Sequence, residues 1–494
     1  MNPHPSTEEK TFKDPASLSV DAVSVENGRA DISTGDKTLN RSLLLKRDLI
    51  LLPSVGLLYM IMFLDRTNIA NAKIEGLVEG LNMPSNGYNT ALWIFYIPFI
   101  LAEVPSNLIL NQGKIPPNYF LGGMTCILGV LGMCQGLTAS YAGLLALRFL
   151  MGALEAALPA GAAYMISIYY TKKEAAVRFA AFFNFALLGP FFSGLLAYAI
   201  VNLDGTGGYE GWRWIFIIEG LMTVFFGLLA LTFTPNFPEK AQRWFLKPHE
   251  REYLVAKLKA SRGLEDKGSA ADDVSIWKVL VDWRIHIFTL CFFCCDITAS
   301  SISAFMTSIL KELGWTSSRA QVMTMPVWGA GIFFTFLVTW TASKVNFRAP
   351  FVLVSICCQL VGWAIMVAYV EAPGVRYAAL FFMSIGTFPQ MPLLMTWLSN
   401  NLRGRKYLAV GMAWQVGFGN CANFVSSNVF IAGQAPRYRT GFANGLGWTC
   451  SGFALVCFTT LLLFLKNKRR ASQLSRLSVD EKEREEQVSF KFLL

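Results

Sequence analysis

Four charged residues set among apolar neighbours are where this chain could do chemistry. Asp65 and Arg66 follow Leu49–Leu64, sixteen residues without a charge. A bilayer takes roughly 20 residues of helix, so a span begun near Leu49 runs on through both. The alternative is a helix that ends at Leu64 and leaves two interfacial charges. Arg148 and Glu155 lie seven residues apart in another apolar stretch, two helical turns and about 10.5 Å along one face. They are too far apart to pair directly, so each needs a partner elsewhere. Depth permits one such pairing. At ~1.5 Å per residue, Asp65 lies about 27 Å along an outward-running first span and Arg148 about 10 Å below the outer surface on an inward-running fourth. Asp65 can then meet Arg148, which leaves Arg66 for an external anion. A guanidinium grips a carboxylate through two parallel hydrogen bonds. A partly buried carboxylate that changes partners can carry protons. A static ion-pair network that locks helices together would use the same four residues.

The other intramembrane charges are Glu103, Glu219 and Asp296. Glu103 precedes Pro105 and suits a structural role at a kink. Glu219 reads as a packing or gating acid, and Arg213 as interfacial. Asp296 falls near the middle of its span among Thr298, Ser300, Ser301 and Ser303, a candidate for contact with substrate or proton. Asn420 and Asn423, beside Gly417 and Gly419, offer amide donors on a flexible segment. Tyr96, Trp93 and Trp414 are candidates to line a cavity.

Positioning these residues is the task of a polytopic all-α membrane protein. Of 494 residues, 53% are hydrophobic and 15% charged, well below the roughly 25% charge of a soluble chain. Twelve spans are expected: 47–69, 88–110, 119–137, 141–168, 176–203 and 212–234, then 284–310, 320–342, 349–370, 376–399, 407–431 and 441–465. The polar stretch 1–46 reads as a disordered tail without a cleavable signal. The domains follow as a bundle over 47–235, a central loop over 236–283, a second bundle over 284–465 and a tail over 466–494. Lys114, Lys172, Lys173, Arg178, Lys344, Arg348, Arg403, Arg405 and Lys406 fall in loops on the side of the central segment. The positive-inside rule therefore places both termini in the cytoplasm, with Arg437 and Arg439 as exceptions. Six spans, a long loop and six more is the layout of a two-bundle carrier. The net charge of +10 is spent on topology, which argues against nucleic acid as a partner. All ten cysteines fall within spans and read as small apolar residues. The three histidines, His4, His249 and His286, form no catalytic or metal motif, so neither an enzyme nor a cofactor is expected.

The assembled motifs resemble the major facilitator superfamily and, within it, the anion:cation symporter family. The likeness is greatest to the fungal allantoate-permease branch, which includes nicotinate, pantothenate and biotin carriers. It is carried by Leu64-Asp65-Arg66-Thr67-Asn68-Ile69-Ala70-Asn71, by Glu103-Val104-Pro105-Ser106-Asn107 and by Arg148 through Glu155. Tyr169-Tyr170 with Glu174 and Arg178, and Gly211 through Gly220, extend it across the N-terminal half. The C-terminal half agrees more loosely, through Leu313-Gly314-Trp315, Met325-Pro326 and Asn401-Leu402-Arg403-Gly404. It departs at Ser343-Lys344-Val345-Asn346-Phe347-Arg348, at Tyr407, and in lacking a proline in 305–308. The resemblance implies proton sites at Asp65 and Glu155, a substrate-carboxylate site at Arg66 and a coupling role for Arg148. It also implies a small organic anion moved by proton symport through alternating access, by a monomer in the plasma membrane. The departures leave export of an acidic metabolite or drug as the alternative.

Overall fold

Long apolar helices make up most of the structure, a computed structural model that describes residues 34–112, 114–266, 276–345, 347–402 and 405–474. The first bundle comprises α1 (Thr34–Ala72), α2 (Gly87–Trp93), α3 (Tyr96–Asn111), α4 (Pro117–Leu137), α5 (Tyr141–Glu155), α6 (Ala157–Tyr169), α7 (Lys172–Val201) and α8 (Gly211–Phe233). An amphipathic helix, α9 (Pro248–Asp266), follows. The second bundle comprises α10 (Trp283–Glu312), α11 (Ser317–Lys344), α12 (Ala349–Ala368), α13 (Pro373–Asn400), α14 (Arg405–Gly419), α15 (Ala422–Val429) and α16 (Arg439–Leu474). Within the first bundle α4 packs on α8 and α1 on α7. Within the second, α12 packs on α13 and α16. The bundles meet where α7 faces α11, α1 faces α10 and α2 faces α15.

Ten described helices are long and apolar enough to cross a membrane. The two other expected spans, the second and the eleventh, are each broken in two, as α2–α3 and α14–α15. Pro98 accounts for the first break. It has no N–H to offer the carbonyl of Ile94, and its ring crowds that carbonyl, so the helix parts at Ile94 and Phe95. Pro159 does the same to the carbonyl of Glu155, and the fourth span kinks between α5 and α6 at that residue. In the eleventh span the break follows Gly419, where the Asn420 side chain donates to the Val416 carbonyl at 2.9 Å and competes with the helical ladder. Irregular backbone at membrane depth is tolerated where it faces protein or a cavity.

The α1 helix starts at Thr34, which corrects the reading of 1–46 as a single disordered tail; 1–33 lie outside the described residues. Contacts with α9 and α7 tie this polar extension down. Lys46 pairs with Glu250 at 2.5 Å, and Lys257 donates to Asn40 at 2.7 Å and to Glu174 at 2.6 Å. Beneath them Leu43 is buried. Burial pushes the Glu250 carboxyl up, but the Lys46 ammonium and the Lys247 amide outweigh it and hold the group below its usual range. The helix α9 is therefore strapped to the first bundle, on the face where α1 begins.

Candidate functional site

Arg66 and Glu155 form the centre of the first bundle. The Arg66 Nε donates to Glu155 Oε1 at 2.5 Å, with Glu155 buried and Arg66 nearly so. Four aromatic rings surround the guanidinium, its carbon 4.5 Å from the Phe99 centroid, 5.2 Å from Phe63, 5.4 Å from Phe95 and 5.8 Å from Tyr96. A cation against ring faces is favourable, and more so away from water. One guanidinium nitrogen, Nη2, is buried without a hydrogen-bond partner. Arg66 is thus fixed by a single-point ion pair and an aromatic cage, with donor capacity to spare.

Arg148 lies near the same ring, its guanidinium carbon 5.9 Å from the Phe95 centroid. The two guanidinium carbons are therefore no more than about 11 Å apart. Arg148 is buried, and among the described residues it makes no ion pair or side-chain hydrogen bond; its Nε has no partner. A buried cation in that condition is costly and is suited to receiving an anion.

Asp65 departs from the sequence expectation. It does not pair with Arg148. Both its oxygens face the Thr223 hydroxyl of α8, at 3.2 and 3.1 Å, and that hydroxyl also lies 2.9 Å from the Glu219 carbonyl. Glu219 is fully buried beside this pair, facing Asn68, and neither of its oxygens has a hydrogen-bond partner. The acid–base pairing within the site is instead Arg66 with Glu155, so Arg66 is not the uncommitted cation.

The remaining expectations divide. Tyr96 is at the site, against Arg66. Glu103 of α3 reaches toward α14, its Oε2 3.5 Å from where a Gly417 side chain would begin. Asp296 accepts from Asn423 Nδ2 at 3.2 Å and lies within the electrostatic reach of Arg66. The Asn420 side chain donates to its own helix, at the Val416 carbonyl. Arg213 lies at the far end of α8, where it donates to the Gly136 and Thr138 carbonyls, with the Thr138 bond at 2.6 Å. Thr223 was not expected, although it sits one turn after Glu219 on the same face of α8.

The face opposite α9 is sealed between the bundles. The helix of α1 runs into a π-helical turn, Lys73–Leu77, in which Gly76 adopts φ +97°, a conformation that disfavours any side chain. This turn frees the Ile74 carbonyl, which accepts from Lys311 Nζ at 2.9 Å and Ser317 Oγ at 3.1 Å in the other bundle. Gln321 donates to Glu75 at 3.0 Å and Thr307 to the Ala70 carbonyl at 3.1 Å. Tyr88 and Asn89 of α2 bind the Ala304 and Phe430 carbonyls at 2.8 and 3.2 Å.

Comparison with known proteins agrees with this architecture. The Major Facilitator Superfamily profile matches residues 55–419. The chain is 31% identical over 446 residues to an uncharacterised transporter of Schizosaccharomyces pombe, covering 90% of this chain and 88% of that one. It is 25% identical over 464 residues to the high-affinity nicotinic acid transporter of Saccharomyces cerevisiae, covering 92% and 85%. Among solved structures it resembles a D-xylose–proton symporter at 16% identity with a TM-score of 0.62, covering 82% and 95%. Two helical bundles, a buried charge site between broken helices and a profile match over most of the chain lead to one conclusion: this multi-pass membrane protein belongs to the Major Facilitator Superfamily and is a transporter, not an enzyme.

Proposed function

We propose that the protein is a proton-coupled symporter of a small organic carboxylate, of the anion:cation symporter family and its allantoate-permease branch. The observation that carries this reading is the Arg66–Glu155 pair at 2.5 Å with Arg148 unpaired near the same Phe95 ring. While Glu155 is ionised, Arg66 is committed to it. A proton on Glu155 cancels that attraction, and the freed guanidinium can take a substrate carboxylate with two hydrogen bonds. One proton and one carboxylate enter together, so the charge of the site is unchanged and the bundles can move around it. Arg148 supplies the field that draws the anion in. Asp65, hydrogen-bonded to Thr223, is the second proton site. The nicotinic acid transporter among the relatives is consistent with a carboxylate cargo.

The basic loops support an orientation with the α9 face and both termini in the cytoplasm, and we propose the plasma membrane as the location and a monomer as the working unit. The sealed face is then extracellular, and opening outward requires the seal around Ile74 to part. Lys311→Met removes one charge-assisted bond of that seal. With about 1 kcal/mol lost, the outward-open population rises roughly fivefold. A cysteine placed at Tyr88 reads this as faster labelling by an impermeant thiol reagent; an unchanged rate would remove Lys311 from the gate.

The functional reading is tested by a transport screen of carboxylate vitamins, ureides and aromatic acids in proteoliposomes at two external pH values. Uptake of one of them is expected to rise at the lower pH. Arg66→Lys is expected to weaken its affinity about tenfold or more, since the two-pronged guanidinium contact is lost. Uptake indifferent to pH, or an affinity unmoved by the substitution, goes against the proposal.

A further inference from the structure

We infer that the cargo is bipolar: a carboxylate that carries, at its other end, a hydrogen-bond donor, an ammonium above all, which Asp296 receives. This inference rests on the carboxylate reading above and adds the chemistry of the opposite end.

Asp296 lies in the middle of α10, in the second bundle, and is only 8% exposed. One of its oxygens accepts from Asn423, and the other carries no protein donor among the described residues. The nearby hydroxyls do not supply one, because Ser300 donates to the Asp296 carbonyl and Ser301 to the Ile297 carbonyl, both at 2.6 Å. The cation that acts on Asp296 is Arg66 of the first bundle, and that group is already committed to Glu155. Tyr96 lies within the reach of both Arg66 and Asp296. Across the same boundary, Trp93 of α2 and Phe424 of α15 hold their rings 6.5 Å apart, each beside the break in its span.

A buried acid with one amide donor is under-satisfied. A ligand whose carboxylate sits at Arg66 presents its other end toward this acid. An anion or a bare acceptor there is repelled, an apolar group leaves the acid as unsatisfied as before, and a donor completes its shell. The first bundle therefore reads the carboxylate and the second reads the donor. A cargo that bridges both also gives the bundles a reason to close around it.

The test uses the purified full chain and ligand-induced thermal stabilisation, with benzoate, 4-(aminomethyl)benzoate and terephthalate as probes at neutral pH. The expected order is the aminomethyl acid about tenfold tighter than benzoate, with terephthalate weakest. In Asp296→Asn, which keeps shape and leaves the Asn423 contact possible, the ratio of the first two should collapse to within about twofold. The unliganded melting temperature of the variant reports whether it is folded. Should it not fold, the order of the three probes on the native chain decides. Benzoate or terephthalate binding as tightly as the aminomethyl acid overturns the inference, as does a ratio unmoved by the substitution. If none of the three binds while a ligand without a carboxylate does, it is the carboxylate reading that fails.

Discussion

Glu155→Gln is expected to abolish proton-driven accumulation in proteoliposomes while leaving counterflow intact. Glutamine fills the same space at the end of α5 but cannot take a proton, so Arg66 is never held back from the substrate. Exchange of cargo for cargo requires only that the loaded carrier reorient, and it persists. Loss of the ion pair also leaves Arg66 free at every pH, so the affinity for the anion should become less dependent on pH as well as tighter. Counterflow serves as the control for folding, which matters because removing one partner of a buried pair typically costs about 3–5 kcal/mol. Accumulation that survives at the native level would take the proton away from Glu155.

Gly152→Ala should have an effect of similar size through packing alone. A side chain added at Gly152 would begin 2.0 Å from the Phe95 carbonyl oxygen. The obstacle is backbone at the break between α2 and α3, not the end of a flexible chain, so it cannot swing aside. Overpacking of this kind costs about 1–3 kcal/mol even where neighbours can shift. Here the shift would displace Phe95, the ring that the guanidinium groups of both Arg66 and Arg148 lie near. The expected result is a lower melting temperature in detergent together with loss of uptake. A variant that melts and transports like the native protein would mean that the break is looser than its geometry implies.

These two residues also show how far the sequence could be read. The spacing of Arg148 and Glu155 was enough to put both on one buried face of α5, and both are there. Their partners were misassigned for a physical reason. Rise along a helix gives depth, but consecutive residues differ by about 100° in direction. Asp65 and Arg66 are at nearly the same depth and point to different neighbours, Asp65 to Thr223 and Arg66 to Glu155. Which of them faces α5 depends on the rotation of α1, and that is set by packing against α7 and α8. The breaks at Ile94 and Glu155 were legible in principle, since Pro98 and Pro159 each remove a donor four residues on. The seal at Ile74 was not, because it depends on a carbonyl exposed by a π-helical turn and on the register of α10 and α11 against it.

The exchange of Arg66 between Glu155 and a carboxylate is the centre of the account, and proton counting tests it most directly. Calorimetric titration of the purified protein with its transported acid, in two buffers of different ionisation enthalpy, gives the number of protons taken up per ligand bound. The account predicts about one proton bound with each carboxylate in the native chain, since Glu155 must be neutral for Arg66 to let go. It predicts none in Glu155→Gln. The same uptake in both proteins, or none in the native one, would contradict it.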